Sequence, residues 1–140
     1  MHLATLAVLV LLAGCGGGTP SADLFVVKRS GTIPGAKLTL LVSDGGSVRC
    51  NDGPEREISS EQLIDARAIL RDLEGERDED GPIDESLTLP PLRNSIMRYE
   101  VRAEDGRVAF SDTSRGQPQV FYEVAKFTRD VAKGACGLPR

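Results

Sequence analysis

The sequence predicts an α+β domain: an antiparallel sheet of about five strands with two helices packed on one face. Three observations lead there. Short runs rich in β-formers, bounded by Gly, Pro and Asp, fall at residues 23–29, 37–43 and 47–51 and again around residue 100. Two of these runs flank the turn dipeptide Asp105-Gly106. Two longer stretches, after Ser59 and after Pro118, instead repeat apolar residues every three or four positions, as one face of a helix requires.

Taken in order, Asp23 to Arg29 (DLFVVKR) reads as a first strand and Ser30 to Gly35 as a loop with two glycines and a proline. Lys37 to Ser43 is a second strand, and Asp44-Gly45-Gly46 turns into a short third one, Ser47 to Asn51, which carries Cys50. Ser59 and Gln62 have capping-box spacing, and Ile58 with Leu63 has that of a hydrophobic staple. Leu63, Ala66, Leu70 and Leu73 follow at helical spacing with Ile69 beside them, and Gly75 stops the helix. That stripe is a core face.

Glu74 to Glu85 (EGERDEDGPIDE) is acidic and has no apolar period. Aligning Gly81 with the glycine of an EF-hand loop puts Asp80, Asp78 and Glu76 on ligand positions, but Leu87 falls where a bidentate Glu is required. Pro90 and Pro91 also prevent the following helix. The expectation is a solvated, mobile acidic loop at residues 74–88 without a metal, followed by an extended connector, Leu89 to Leu92. The hairpin comes next. Pairing outward from Asp105-Gly106 sets Glu104 opposite Arg107, Ala103 opposite Val108 and Val101 opposite Phe110. Tyr99 and Met97 share the apolar face, while Arg98, Glu100 and Arg102 share a wet one. Pro118 suits a first helical position. Val120, Val124, Phe127 and Val131 form its stripe, widened by Phe121, Ala125 and Ala132, and Gly134 ends it just before Cys136.

The start of the chain has a different logic. From Leu3 to Ala13 it is apolar except for Thr5, too short for a permanent span of about 20 residues but suited to the apolar part of a secretory leader. Leu12-Ala13-Gly14-Cys15 resembles the lipobox of bacterial lipoproteins. The resemblance implies cleavage before Cys15 and lipidation of its sulfur and new amine. Small residues admit the processing peptidase, only a thiol forms the thioether, and two or more acyl chains anchor stably where one is marginal. The expected organisation is a signal peptide at 1–14, a flexible tether at 15–22 and a single domain at 23–140. The bilayer would be a partner through lipidated Cys15, at the extracytoplasmic face of the cell membrane.

Composition narrows the function. The net charge is −4 and aromatics make up 4%. No basic stripe with interleaved aromatics points to nucleic acid. The one histidine is His2, inside the expected leader, so the mature chain has no imidazole for Ser-His-Asp or Cys-His catalysis or for zinc. No Ser-x-x-Lys or Gly-x-Ser-x-Gly occurs. The reading is a non-enzyme without a cofactor. Two cysteines remain beyond Cys15, Cys50 and Cys136, and an exported setting favours a bridge between them. Two buried free thiols are the alternative.

Val26 to Gly35 (VVKRSGTIPG), the amphipathic helix after Ser59, and Arg98 to Asp112 (RYEVRAEDGRVAFSD) together resemble emfourin-like proteins, small bacterial inhibitors of thermolysin-type metalloproteases. The shared features are an Arg-Ser-Gly loop, a DG hairpin and a Phe-Ser-Asp ending, within roughly residues 23–133. The resemblance implies a small non-catalytic domain that occludes a protease cleft, and it assigns no individual residues. From physical argument alone, such a domain needs an exposed segment that fits a cleft without being cut. Thr32, Ile33 and Pro34 form the candidate partner-binding loop: Ile33 offers an apolar side chain, and Pro34 resists cleavage and limits conformational entropy. An ordinary connecting loop is the alternative. Two other functions fit the same sequence: a small-ligand or metal-ion binding lipoprotein using the acidic loop, and an accessory subunit of an envelope complex.

Overall fold

A computed structural model describes residues 22–140. The expected signal peptide, Cys15 and the tether as far as Ser21 lie outside the described residues. The elements run β1 (Asp23–Gly31), β2 (Leu38–Ser43), β3 (Ser47–Cys50), β4 (Glu55–Glu57), α1 (Ser60–Glu74), β5 (Met97–Ala103), β6 (Gly106–Ser111) and α2 (Gln119–Lys133). The strands form one antiparallel sheet in the order β4-β3-β2-β1-β5-β6. The fold is α+β as expected, with one strand more. The extra strand, β4, is all charge and fully exposed. It pairs with β3 through its backbone, so no apolar alternation marks it. Short and charged, it also blunts the sheet edge.

β1 is a central strand. Its Phe25 and Val27 point to the same side as Leu38, Leu40 and Val42 of β2 and Val101 and Val108 of the hairpin, and all of them are buried. Ala66, Ile69 and Leu73 of α1 join that core, with Val120, Phe121, Val124, Phe127 and Val131 of α2. Phe110 stacks between Tyr99 and Phe121, its ring centroid 5.1 Å and 4.3 Å from theirs. Among the described residues, the core side chains and those partly buried around it come from residues 24–138. Among the described residues no helix is long and apolar enough to cross a membrane.

The helix ends follow local chemistry. Ser59 is the N-cap of α1: its Oγ accepts from the Gln62 amide at 3.1 Å, and the Gln62 side chain accepts from the Ser59 amide at 3.0 Å. Gly75 closes the helix. Pro118 is the N-cap of α2 rather than its first helical residue, and Gly134 ends it.

Two expectations are corrected. The hairpin turn is Glu104-Asp105, and Ala103 pairs with Gly106, Val101 with Val108 and Tyr99 with Phe110. The register is two residues from the one read from Asp105-Gly106. An offset of two keeps every side chain on its expected face. The reason lies in the acidic segment. A Cβ on Gly106 would meet Ile83 Cγ2 and the Ile83 carbonyl oxygen, both at 3.0 Å. Gly106 is therefore used for close approach inside the strand, not for the turn. The acidic segment is correspondingly not a wholly solvated insertion. Its carboxylates from Glu76 to Glu85 are exposed and Glu74 is half-buried, but Ile83 is 1% exposed and belongs to the core. The Ile83 amide donates to Leu73 O at 3.1 Å, tying the segment to the end of α1. The connector after it runs beside β6, with Thr88 bridged to Ala109.

The Cys50 and Cys136 sulfurs lie at bonding distance, 2.06 Å, across a sequence separation of 86. The bridge ties the end of β3 to the chain just beyond α2, and both cysteines are partly buried against the core.

Replacing Cys50 and Cys136 together with Ser is expected to lower the unfolding free energy by about 4.5 kcal/mol, the chain-entropy expectation for a loop of this size; urea unfolding checks it. Ile83→Ala is expected to cost about 2–4 kcal/mol by cavity formation, where an exposed loop residue would cost under about 0.5. The same urea titration separates the two.

Candidate functional site

One end of the sheet carries the candidate loop. Alternation along β1 puts Arg29 on the core face after Phe25 and Val27, opposite Leu38 and Tyr99. Arg29 is 3% exposed, and its partners are backbone oxygens. Nε donates to Ala36 O at 2.7 Å, and Nη2 donates to Gly35 O at 3.2 Å and to Arg140 O at 2.8 Å. Burial pushes its pKa below the ordinary arginine value, an effect partly opposed by Tyr99. Burial likewise raises the Tyr99 phenol above its ordinary value, with Arg29 opposing. A buried guanidinium must be hydrogen-bonded on its donors or it is strongly unfavourable. Arg29 therefore fixes whatever carries those oxygens.

Those oxygens belong to the far side of the candidate loop and to the chain after α2. Ile33 to Ala36 forms a tight turn in which the Ala36 amide donates to Ile33 O at 3.3 Å. Pro34 and Gly35 occupy its centre, and Gly35 has φ +77°, a conformation suited to Gly after Pro in a type II turn. Ala36 is buried. After α2, Cys136 is held to Cys50, the Leu138 amide donates to Ala132 O at 2.8 Å, and Pro139 packs next to Gly35. The structure thus brings Thr32–Pro34 and the cysteine pair to the same end of the sheet through this strap.

A second anchor holds the neighbouring segment. The Asp112 carboxylate accepts from the Ile96 amide at 3.2 and 3.1 Å and from Ser95 Oγ at 3.0 Å. The Ile96 carbonyl in turn accepts from the Thr32 amide at 3.1 Å. Buried Ser114 donates to Pro90 O at 3.0 Å, and the Leu92 amide donates to Thr113 Oγ1 at 2.9 Å. Thr32 and Pro34 are exposed on this platform, and Ile33 is half-buried. Two large apolar residues of the second segment are exposed, Leu92 at 41% and Ile96 at 44%, and Ile96 is the one joined to the loop, through its carbonyl and the Thr32 amide. The arrangement presents a fixed, mildly apolar ridge, which loses little conformational entropy on meeting a partner.

Elsewhere, an open cleft of about 1040 Å³ lies between the β2–β3 turn, β4 and the start of α1. A groove of about 760 Å³ between the helices has Ile69 and Phe127 at its floor and Asp65, Asp72 and Glu123 among its walls. Among the described residues no three His, Cys, Asp or Glu side chains gather as a metal site. Asp78 and Asp80, the residues weighed for calcium, are exposed.

No family model matches the chain, and neither does any curated protein or solved structure.

The sequence reading picked the loop but missed its two anchors. Arg29 had a signal: it stands two and four residues after Val27 and Phe25, on the core face of the strand. Val26 and Leu24 obscured it by making both faces apolar. Asp112 had none beyond its place in the Phe-Ser-Asp ending.

Arg29→Met is expected to destabilise the domain by about 2–3 kcal/mol, because it orphans carbonyls held by charge-assisted bonds; thermal and urea unfolding check it. Asp112→Ala is expected to speed amide exchange at Ile96 and Thr32 while Val101 and Val108 keep their protection.

Proposed function

We propose that the protein is a lipid-anchored, extracytoplasmic, non-catalytic interaction module, and that the Thr32–Pro34 ridge is its partner-binding surface. The observation that carries this reading is the double anchoring of one exposed ridge. Arg29 clamps the loop from inside, and Asp112 clamps the segment holding Ile96 beside it. A ridge held from both sides loses little conformational entropy on meeting a partner. The ridge also lies at the Gly31 end of β1, whereas the chain leaves toward Cys15 at the Asp23 end. Nine residues of strand, rising about 3.3 Å each, separate the two. A tether at one end leaves the other free for a partner.

The emfourin-like resemblance supplies the partner class, an extracytoplasmic metalloprotease of the thermolysin type. Each feature behind it has a structural role here: Arg29 clamps, Gly106 admits Ile83, and Asp112 pins Ile96. The ridge is short, Pro34 protects its backbone from hydrolysis, and Ile96 extends its apolar contact. An envelope protein of another kind is the second candidate partner.

The chain from residue 15 with Cys15→Ser, made under oxidising conditions, is expected to inhibit a thermolysin-type protease stoichiometrically. Ile96→Asp and Ile33→Asp should each weaken inhibition at least tenfold with a small change in melting temperature. Absence of inhibition at micromolar protein against several such enzymes would overturn the protease reading. The anchor is tested separately by mass spectrometry of the membrane fraction: the expected N-terminus is an acylated Cys15, and an unmodified residue there would refute it.

A further inference from the structure

The helices cover one face of the sheet, and no described element covers the other. Strand pairing sets the composition of that open face. Lys28 lies opposite Glu100, Val26 opposite Arg102, Arg102 opposite Arg107, and Ser30 opposite Arg98. Four cations over β1, β5 and β6 thus meet one carboxylate, Glu100. Glu100 is already committed: it accepts from Arg102 Nε at 2.7 Å, with Arg107 at 3.6 Å. Lys28, Arg98, Arg102 and Arg107 are exposed, and half-buried Val26 and Leu41 lie beside them. Toward β4 the excess fades, because Glu55 and Glu57 share that face with Arg49.

The acidic segment after α1 lies on the other side. Gly106 shares the core face with Val108, and Ile83 packs against it. The segment from Glu76 to Glu85 therefore sits on the helix-bearing side of the sheet. It lies near the turn residues Glu104 and Asp105, and Glu74 between them is held above the ordinary carboxylate range by burial and by Asp105, Asp84 and Glu104. A chain of net charge −4 thus turns a positive face one way and its acidic corner the other.

We propose that the open sheet face docks on an anionic phospholipid surface. This deepens the anchored reading, from which it takes the nearby bilayer. From Cys15 to Ala22 the chain can reach about 25 Å at most, so an anchor at Cys15 keeps the domain within touching distance of the headgroups. The charge pattern then selects the orientation. Basic side chains near an anionic surface each add attraction, while the acidic corner on the opposite side is repelled and points away. Half-buried Val26 and Leu41 reduce the desolvation a fully charged face would face. In this pose the Thr32–Pro34 ridge lies at the side of the domain, open to a partner in the plane of the membrane.

The test uses the chain from residue 15 with Cys15→Ser, which carries the whole described core and reads the face without the lipid. Co-sedimentation with vesicles of roughly two-fifths phosphatidylglycerol in phosphatidylcholine is compared with pure phosphatidylcholine at low salt. The expected result is at least tenfold stronger partitioning onto the anionic vesicles, lost at high salt. Arg98→Gln and Lys28→Gln should each lower it about fivefold. The two together should lower it further, whereas Arg71→Gln with Lys133→Gln, on the helix side and equal in net charge change to that open-face pair, should leave it unchanged. Equal partitioning onto both vesicles overturns the proposal, as does an equal loss from the helix-side pair; in either case an acidic protein becomes the occupant to seek. The result is independent of whether Cys15 is acylated and of whether any protease is inhibited.

Discussion

A guanidinium buried on the core face of a central strand organises one whole end of this domain. Arg29 can satisfy its donors there only if the chain on either side of it bends back to supply oxygens. The Pro34-Gly35 turn does so from one direction and the residues after α2 from the other. The Cys50–Cys136 bridge sets the path of the second strand of chain before it reaches Arg29. The cost of leaving a buried charge unpaired is large, so these pieces hold or fail together. The loop is thereby tied to the core through its own carbonyls.

The same end shows how a small domain with few aromatics builds rigidity outside its apolar core. Ser111, Thr113 and Ser114 share hydrogen bonds at 3.1 and 3.2 Å, and Gln117 donates to the Ser111 and Ser114 carbonyls at 2.9 Å. This knot holds the exit of β6, and Asp112 within it reaches Ile96. Bonds of this kind contribute individually about 1 kcal/mol, yet together they fix a backbone that has no regular structure. Rigid, exposed and apolar is the combination that lets a loop contribute to binding rather than lose entropy on contact. The opposite face works by charge. Its four cations lie on separate strand positions and are gathered only by register, so the docking surface and the core are set by one pairing scheme.

The legible part of the fold was local. Ser59 and Gln62 announce a capping box because the atoms involved are three residues apart, and Gly75 and Gly134 stop helices for equally local reasons. Val120, Val124, Phe127 and Val131 mark one helical face whatever they pack against. β4 was invisible because Glu55, Arg56 and Glu57 pair by backbone and bury nothing. The candidate loop was legible through Pro34 and the flanking glycines, but its clamp was not: an arginine next to Lys28 in a strand reads as exposed charge until the core face of that strand is known. Ile33, the apolar residue of the loop, is half-buried, and the exposed isoleucine at this end, Ile96, comes from a segment some sixty residues away.

By itself the sequence determined the α+β class, the cap of α1 and the glycine stops of both helices, the pair of cysteines available to bridge, and which hairpin residues share a face. Each of these depends on spacing within a few residues, or on simple counting. Only the tertiary structure decided the hairpin register, the burial of Ile83, the role of Arg29 and the sidedness of charge. In each case a group distant in sequence makes the choice. Backbone oxygens of Ala36, Gly35 and Arg140 decide the role of Arg29. For the hairpin, a shift of two residues preserves the alternation that sequence records, so the choice falls to Ile83 against Gly106, whose missing side chain is the space that the packing needs.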